Sequence, residues 1–480
     1  MTIDQLQQQL SQQFIQDKTA LISLKNLLYR NTTSQHLVCL GDGYHYTWQD
    51  LRLHTAYFVQ ILNNRPTDKQ VALVFKSGFL MVCALLALAH CQRKIILPSL
   101  QTAEHLADIQ PHFSLLLTDN ESLSNQVENE GISAVYFHQI SAHKPLSLEQ
   151  IDGLLQANDK INAQAVDLEN PDLYLFTSGS TGTPKMIDKY FALFDRQIAI
   201  EYDLLAERLQ GAVMYSTVNH NHLLGLMYRL FFPLVLRMPF WDYSLIMPEQ
   251  LSKISLPYAL ISSPAFLRFL DDKLSYPTAR VVYSSGGKLP LAVGEKAKSY
   301  LNCPLMEFYG SSETGAIAYK YFPSEDWLAL NGIEVQKNAN GCLAILSPLL
   351  PQNSWYAMED RVNLTACGFE LLGRADRVAK IADKRVSLTQ IEHLALQLPE
   401  ISEVKALVIS EAHRDSIGLV VVLSPEFTEL SSKAALNLLR NHLRNHIELI
   451  ALPRRIRLVE FMPLNEQGKL NIKQLEQLFV

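Results

Sequence analysis

Paired cysteines are missing from this sequence. Its six cysteines, Cys39, Cys83, Cys91, Cys303, Cys342 and Cys367, are scattered among apolar neighbours and never stand as C-x-x-C. That argues against a structural zinc site and favours reduced thiols in a cytoplasmic protein. Excess positive charge is missing too. The 42 Lys and Arg against 48 Asp and Glu leave a formal net charge of −6, which excludes the basic footprint of a nucleic-acid binder. No run of like charges marks an acidic or basic tail. Long apolar runs are also lacking. The longest, Phe79 to Ala89, is too short to span a bilayer and reads as a buried helix. The apolar stretch from Leu223 to Trp241 is interrupted by Arg229, Pro233 and Arg237. Met1 to Gln13 is rich in glutamine and lacks the cationic start and apolar core of a signal peptide.

What is present is an ordinary globular composition, 48% hydrophobic and 19% charged, with ample material for a large core. The length suits about three ordinary domains, or one large and one small. The chain opens on a Gln-rich amphipathic helix. Tyr46-Thr47-Trp48-Gln49-Asp50-Leu51 then predicts a helix start with Thr47 as cap. From Val71, strands at 71–75, 94–97 and 115–118 alternate with a helix at 79–90, which predicts βαβ units and parallel sheets. Residues 120–168 are polar and read as surface loops with one strand at 134–138. Further strands are expected at 211–217, 258–262, 281–285 and 306–309. The text changes character near Gly373. Beyond it, helices at 388–398 and 433–447 and strands at 404–409, 417–423 and 455–461 predict a small α+β unit. The expected fold is therefore α/β: a large N-terminal domain, residues 1–374, of mixed, mainly parallel sheets with flanking helices, and a small C-terminal α+β domain, residues 375–480.

The most telling stretch runs Leu173-Tyr174-Leu175-Phe176-Thr177-Ser178-Gly179-Ser180-Thr181-Gly182-Thr183-Pro184-Lys185. A short apolar strand enters a loop of small, hydroxyl-bearing residues closed by Pro and Lys. Glycine lets main-chain N–H groups approach a phosphate, the hydroxyls add donors, and Lys185 adds charge. It is not a Walker A loop, because Thr183 and Pro184 follow Gly182 and Met186 follows the lysine.

This string resembles the phosphate-gripping signature of the adenylate-forming superfamily, which comprises acyl-CoA synthetases, aryl-acid ligases, luciferases and adenylation domains of peptide synthetases. Phe176 stands where tyrosine is usual. Other family-like strings follow in order. Asn219-His220-Asn221-His222-Leu223-Leu224-Gly225-Leu226 is similar to an element lining the acyl pocket, with His222 in the histidine position. No acid lies between Ser216 and Leu226, which argues against an α-amino acid substrate. Ser284-Ser285-Gly286-Gly287-Lys288-Leu289-Pro290 resembles a turn that floors adenine and acyl group. Tyr309-Gly310-Ser311-Ser312-Glu313 resembles the tyrosine-glycine-x-threonine-glutamate motif. The resemblance implies that Tyr309 stacks on adenine, Ser312 lies near the α-phosphate and Glu313 binds Mg²⁺. Tyr356-Ala357-Met358-Glu359-Asp360 offers Asp360 to the ribose, with Met358 and Glu359 departing from threonine and glycine. Gly373-Arg374-Ala375-Asp376 matches the hinge string, with Arg374 at ribose or phosphate. Asp383 stands where the family has glycine. Gly468-Lys469 resembles the C-terminal catalytic segment, in which Lys469 neutralises charge on the α-phosphate.

The resemblance thus implies catalytic roles for Thr181, Lys185, His222, Ser312, Glu313 and Lys469. It implies nucleotide contacts for Thr177, Ser178, Gly179, Ser180, Gly182, Gly286, Gly287, Tyr309, Gly310, Ser311, Asp360 and Arg374. It also implies a mobile C-terminal domain. ATP and Mg²⁺ would convert a small carboxylic acid to an acyl-adenylate, and the thiol of CoA, or of a phosphopantetheine on a separate acyl-carrier protein, would take the acyl group. With no carrier domain expected after residue 480, the acceptor is expected to be CoA or a separate carrier protein. The string Lys384-Arg385-Val386-Ser387-Leu388 resembles stand-alone ligases of aryl-polyene and fatty-acid-like pathways, which favours an aromatic acid of hydroxybenzoate or hydroxycinnamate type. A medium-chain fatty acid is the alternative within the class. A nucleotide-binding interaction protein that no longer turns over is the alternative outside it.

Overall fold

The computed structural model describes residues 3–29, 33–137, 146–156, 167–178, 184–375, 377–381, 384–411, 414–444, 446–447, 449–464 and 470–479. Among the described residues the chain builds two large sheets. The first has six strands in the order Ala134–Tyr136, Leu115–Thr118, Gln70–Val74, Lys94–Leu97, Leu173–Ser178 and Pro184–Lys189. Every pair in it is parallel except the last, a hairpin. The second has nine strands. Its interior runs parallel through Leu37–Gly41, Phe240–Trp241, Val213–Ser216, Tyr258–Ser262, Val281–Ser284 and Leu305–Ser311. Antiparallel strands close both edges. Strands buried on both faces read as unbroken apolar runs, as Leu115–Thr118 and Val281–Ser284 do.

The predicted α/β class and most of its strands and helices are present. Thr47 caps the helix Trp48–Asn63 in a reciprocal box with Asp50. The apolar helix Gly78–His90 is buried almost all round, between the two sheets. Residues 120–168 differ from expectation: they hold helices Glu121–Asn129 and Leu148–Leu154, capped by Asn120 and Ser147. The long helix Phe191–Leu209 and the four-stranded antiparallel sheet Glu334–Lys337, Cys342–Leu346, Tyr356–Leu364 and Phe369–Arg374 were not expected either. Beyond Val378, a hairpin, the three-stranded sheet Ile401–Glu411, Arg414–Leu423 and Arg455–Leu458, and helices Leu388–Ala395 and Ser432–Leu443 surround an apolar cluster of their own. Arg268 and Glu403 bridge the two parts at 2.7 Å.

One buried polar knot pins the two large sheets together. Asp242, just past the Phe240–Trp241 strand, accepts hydrogen bonds from Ser77 Oγ at 2.7 Å, Phe79 N at 3.0 Å and Tyr44 Oη at 2.7 Å. Its carbonyl oxygen accepts from Gly78 N and from the fully buried Arg229, whose other arm holds Ser244 Oγ at 2.6 Å. The carboxylate therefore sits at the N-terminus of the Gly78–His90 helix, where backbone N–H groups need acceptors. Asp242→Ala would strand three donors in the core, so it should cost roughly 3 kcal/mol or more of unfolding free energy. Urea denaturation with an unchanged m-value is the check, and a loss below about 1 kcal/mol would contradict this account.

Candidate active site

Four parallel strands of the nine-stranded sheet end on one edge, and three of them deliver a motif there. Such carboxyl ends are where open α/β sheets bind ligands. Val213–Ser216 leads to His222, and Val281–Ser284 leads to Gly286 and Gly287. Leu305–Ser311 carries Tyr309, Gly310 and Ser311 into Ser312 and Glu313, and Tyr258–Ser262 lies between the first two. The Leu305–Ser311 strand turns back into Gly315–Tyr321. Ser311 and Thr314 hold that turn by exchanging side-chain and backbone bonds at 3.0 and 3.2 Å. Gly310 admits no side chain, since a Cβ would collide with the Gly315 carbonyl oxygen.

The six-stranded sheet supplies the facing group. Thr177 and Lys185 are opposite each other across the Leu173–Ser178 and Pro184–Lys189 hairpin, with Thr177 Oγ1 at 3.5 Å from the Lys185 carbonyl. Lys185 Nζ donates to Glu313 Oε1 at 2.6 Å, joining two strings 128 residues apart. Burial pushes the Glu313 carboxyl up, but the hydrogen bonds it accepts, Lys185 foremost, hold it below its ordinary value. The same bond raises the Lys185 ammonium. A second lysine, which sequence reasoning missed, lies behind. Buried Lys189 donates to the Glu313 carbonyl oxygen at 2.9 Å, and burial brings its pKa down to about 8 against the pull of Glu313. The signal was a lysine on the inward face of a strand whose alternate positions, Ile187 and Lys189, are buried.

Tyr309 packs against Trp327 and Phe369 and donates its hydroxyl to Asp360 Oδ2 at 2.8 Å. Asp360 lies opposite Arg374 in the adjoining sheet. The two departures from the family pattern have local explanations: Met358 is buried in the core beside Phe369, and Glu359 lies 3.7 Å from Arg374. Gly286 and Gly287 face open space, with no atom within 4 Å of where a Cβ would stand. His222 is half-buried at the start of the Leu223–Gly225 turn, while its neighbour His220 is buried, bound to the Phe75 carbonyl oxygen and kept neutral by burial. Gly179, Ser180, Thr181, Gly182, Asp376, Asp383 and Lys469 lie outside the described residues, as does the side chain of Ser178.

A narrow cleft adjoins Glu313, lined by Lys189, Leu193, Phe194, Gln197, Leu223, Thr314, Gly315 and Leu349, among others. Behind Gln197 stands Glu201, fully buried, which accepts at Oε1 from Gln197 Nε2 and Tyr228 Oη, each at 2.8 Å. Burial raises its pKa to about 8, so it is largely protonated at neutral pH.

A family model described as "AMP-binding enzyme" matches residues 16–333, more than half of the chain. A CoA ligase of Gibberella moniliformis is 32% identical over 103 residues, 21% of this chain and only 17% of that protein. A 4-coumarate–CoA ligase of Rhodobacter capsulatus is 24% identical over 322 residues, 66% of this chain and 79% of that one. The crystal structure of a benzoate CoA ligase from Burkholderia xenovorans LB400 superposes with a TM-score of 0.75 at 16% identity, covering 95% of this chain and 100% of that one. At that identity the likeness is one of fold.

Glu201 gives a pH test. Its pKa is raised from 4.5 to about 8 in the fold, so the stabilising contribution of its neutral form is complete below about 4.5 and lost as pH rises through about 8. Between those limits the stability of the wild type should fall relative to Glu201→Gln, approaching about 1.4 kcal/mol per pH unit. Paired urea melts from pH 5 to 8 measure it, and a constant difference between the two proteins would refute a protonated Glu201.

Proposed function

The chain belongs to the AMP-binding enzyme family, and from that premise we propose that it is an ATP-dependent, AMP-forming acid–thiol ligase. The observation that carries this reading is the meeting of Lys185, from the Ser/Gly loop hairpin, with Glu313, from the Tyr309-Gly310 string, at 2.6 Å. One side of the cleft thus offers charge for phosphates and the other a carboxylate held ionised.

In this reading Lys185 leaves Glu313 for the triphosphate, together with donors of the loop. Tyr309 and Asp360, already hydrogen-bonded to each other, take the adenine face and the ribose hydroxyls. Gly286 and Gly287 leave room for a flat group against backbone. The acid's carboxylate attacks the α-phosphorus, the bond to the bridging oxygen breaks and pyrophosphate departs. Lys469 then offsets the negative charge that gathers on the α-phosphate.

Mg²⁺ fits this donor set. It takes one or two carboxylates and completes its shell with phosphate oxygens and water, and Glu313 is a single half-buried carboxylate. Among the described residues no group of three or more His, Cys, Asp or Glu forms a closed metal cage. Glu313 would hold the ion, which supplies Lewis-acid neutralisation of phosphate oxygens when bound.

In the second half-reaction a thiol, from CoA or from the phosphopantetheine of a separate acyl-carrier protein, takes the acyl group and releases AMP. Residues 1–374 act as the adenylation core and residues 375–480 as a lid that moves about Asp376, with the Arg268–Glu403 bridge as one contact to be broken. The best-supported acid is aromatic, of hydroxybenzoate or hydroxycinnamate type. The 4-coumarate ligase relative supports that choice. The proposed compartment is the cytoplasm, and no helix among the described residues is long and apolar enough to cross a membrane.

Pyrophosphate exchange into ATP, across a panel of aryl and fatty acids, tests this directly. Exchange is expected with aryl acids, reduced roughly 100-fold or more in Lys469→Ala and in Glu313→Gln. Silence with every acid, while ATP still binds, would instead favour a nucleotide-binding protein without turnover.

A further inference from the structure

Lys189 belongs to no motif, yet it shares a strand face with Lys185, because alternate residues of Pro184–Lys189 point the same way. Both lysines reach Glu313, and they take opposite ends of it. Lys185 Nζ holds the carboxylate at 2.6 Å, and Lys189 Nζ holds the main-chain carbonyl oxygen at 2.9 Å. Lys185 is 59% exposed, whereas Lys189 is buried at 6%. The backbone of Lys189 is fastened as well. Its carbonyl oxygen accepts from Asp172 N at 2.9 Å. The Asp172 carboxylate accepts from Phe191 N at 2.8 Å and pairs with Lys25 at 2.7 Å. The bond to Glu313 therefore runs from an anchored point of the six-stranded sheet to the turn after Leu305–Ser311 in the nine-stranded one. The bonds between Ser311 and Thr314 shape that turn from within but do not tie it to the opposite sheet. Lys189 gives its buried ammonium to a neutral carbonyl oxygen. A buried cation so placed costs stability that a methionine of similar shape would not, so packing alone gives no reason for it.

We propose that Lys189 is a positioning residue, which keeps the Glu313 carboxylate in place for a divalent cation once Lys185 has moved to the phosphates. The inference rests on the acid-activating reading of the site, in which Lys185 gives up Glu313. When that exposed bond opens, the link that Lys185 makes between the two sheets is lost. The Lys189 link remains, because it engages backbone and does not compete for the carboxylate. The carboxylate is then released to a cation while its main chain stays fixed. Removing a group that orients a metal ligand in this way typically changes metal affinity or activity by roughly 10- to 100-fold.

Calorimetric titration of ATP with and without Mg²⁺ reads this role without turnover. In the wild type Mg²⁺ should strengthen ATP binding. Lys189→Met should cut that enhancement by about tenfold or more while leaving metal-free ATP affinity unchanged. Lys189→Arg keeps a long donor and should recover part of it. Lys185→Met should instead weaken ATP binding without the metal as well, since its cation meets the phosphates directly. In pyrophosphate exchange, Lys189→Met should raise the half-saturating Mg²⁺ concentration by a similar factor and leave KM for the acid unchanged. Lys189→Gln, too short to reach Glu313, serves the same purpose should the methionine variant fail to fold. A packing role alone would weaken ATP binding equally with and without the metal, and that result would overturn the proposal. Wild-type ATP binding that ignores Mg²⁺ would overturn it too. Metal-linked ATP binding that depends on Lys189, in a protein that exchanges with no acid, would uphold the positioning role and sink the ligase reading. Exchange by the wild type, with an unaltered Mg²⁺ dependence in Lys189→Met, would sink the role of Lys189 alone.

Discussion

Glu313 is held from two sides, and the candidate site depends on that grip. Lys185 takes its carboxylate and Lys189 its carbonyl oxygen. The two contacts differ in kind. Lys185 is 59% exposed and Glu313 30%, so their ion pair contributes little to stability and opens readily to a competing anion. Lys189 is buried, and its bond to backbone fixes where the turn after Gly310 lies. A carboxylate on a rigid turn, paired with an exchangeable cation, suits a site whose ligand is a polyphosphate. The lysine has a new partner in the phosphates, and the carboxylate is left free for a hard cation.

The parallel framework could be read from the sequence because strands buried on both faces leave runs such as Val71–Phe75 and Leu115–Thr118 that no surface element produces. The same physics hid the rest. Tyr356–Leu364 and Phe369–Arg374 are largely exposed, with few buried positions, so their residues read as irregular text. The return strand Pro184–Lys189 was masked by the proline and lysine that close the Ser/Gly loop, since both residue types suggest a turn. Within 120–168, polar composition suggested loops. The second helix there, Leu148–Leu154, is marked by Ser147 and Gln150, three residues apart, a capping box that can be recognised without any apolar periodicity.

The site divides along a similar line. Lys185, Tyr309, Glu313, Asp360 and Arg374 each sit in a local string, so their identities could be inferred before their positions were known. Lys189, Gln197, Glu201 and Tyr228 belong to no string. They come from a strand, a helix turn and a half later, and a π-helical turn at Leu226–Phe231, and only the fold brings them together. Their signals were indirect: charged or amide side chains on faces that are otherwise apolar, as Glu201 is between Ile198 and Leu205. Met358 and Glu359 looked like defects in a motif. One fills the core and the other lies near Arg374, so the strand they occupy is intact.

Exposure sorts the same groups by task. The residues expected to meet a changing charge, Lys185, Glu359 and Arg374, are more than half exposed, where water lowers the cost of exchanging partners. Gln197, Glu201 and Tyr228, behind the cleft, are buried and hydrogen-bonded to one another, so that moving any one would strand the polar groups of the others. Burial shifts Glu201 and Lys189 toward their neutral forms, although Lys189 still carries its charge at neutral pH and keeps it on the Glu313 carbonyl oxygen. Buried groups are little disturbed by salt, whereas the exposed cations are screened by it. The exchangeable ion pair and the buried network therefore lie side by side, with Glu313 and Thr314 joining them within a residue of each other.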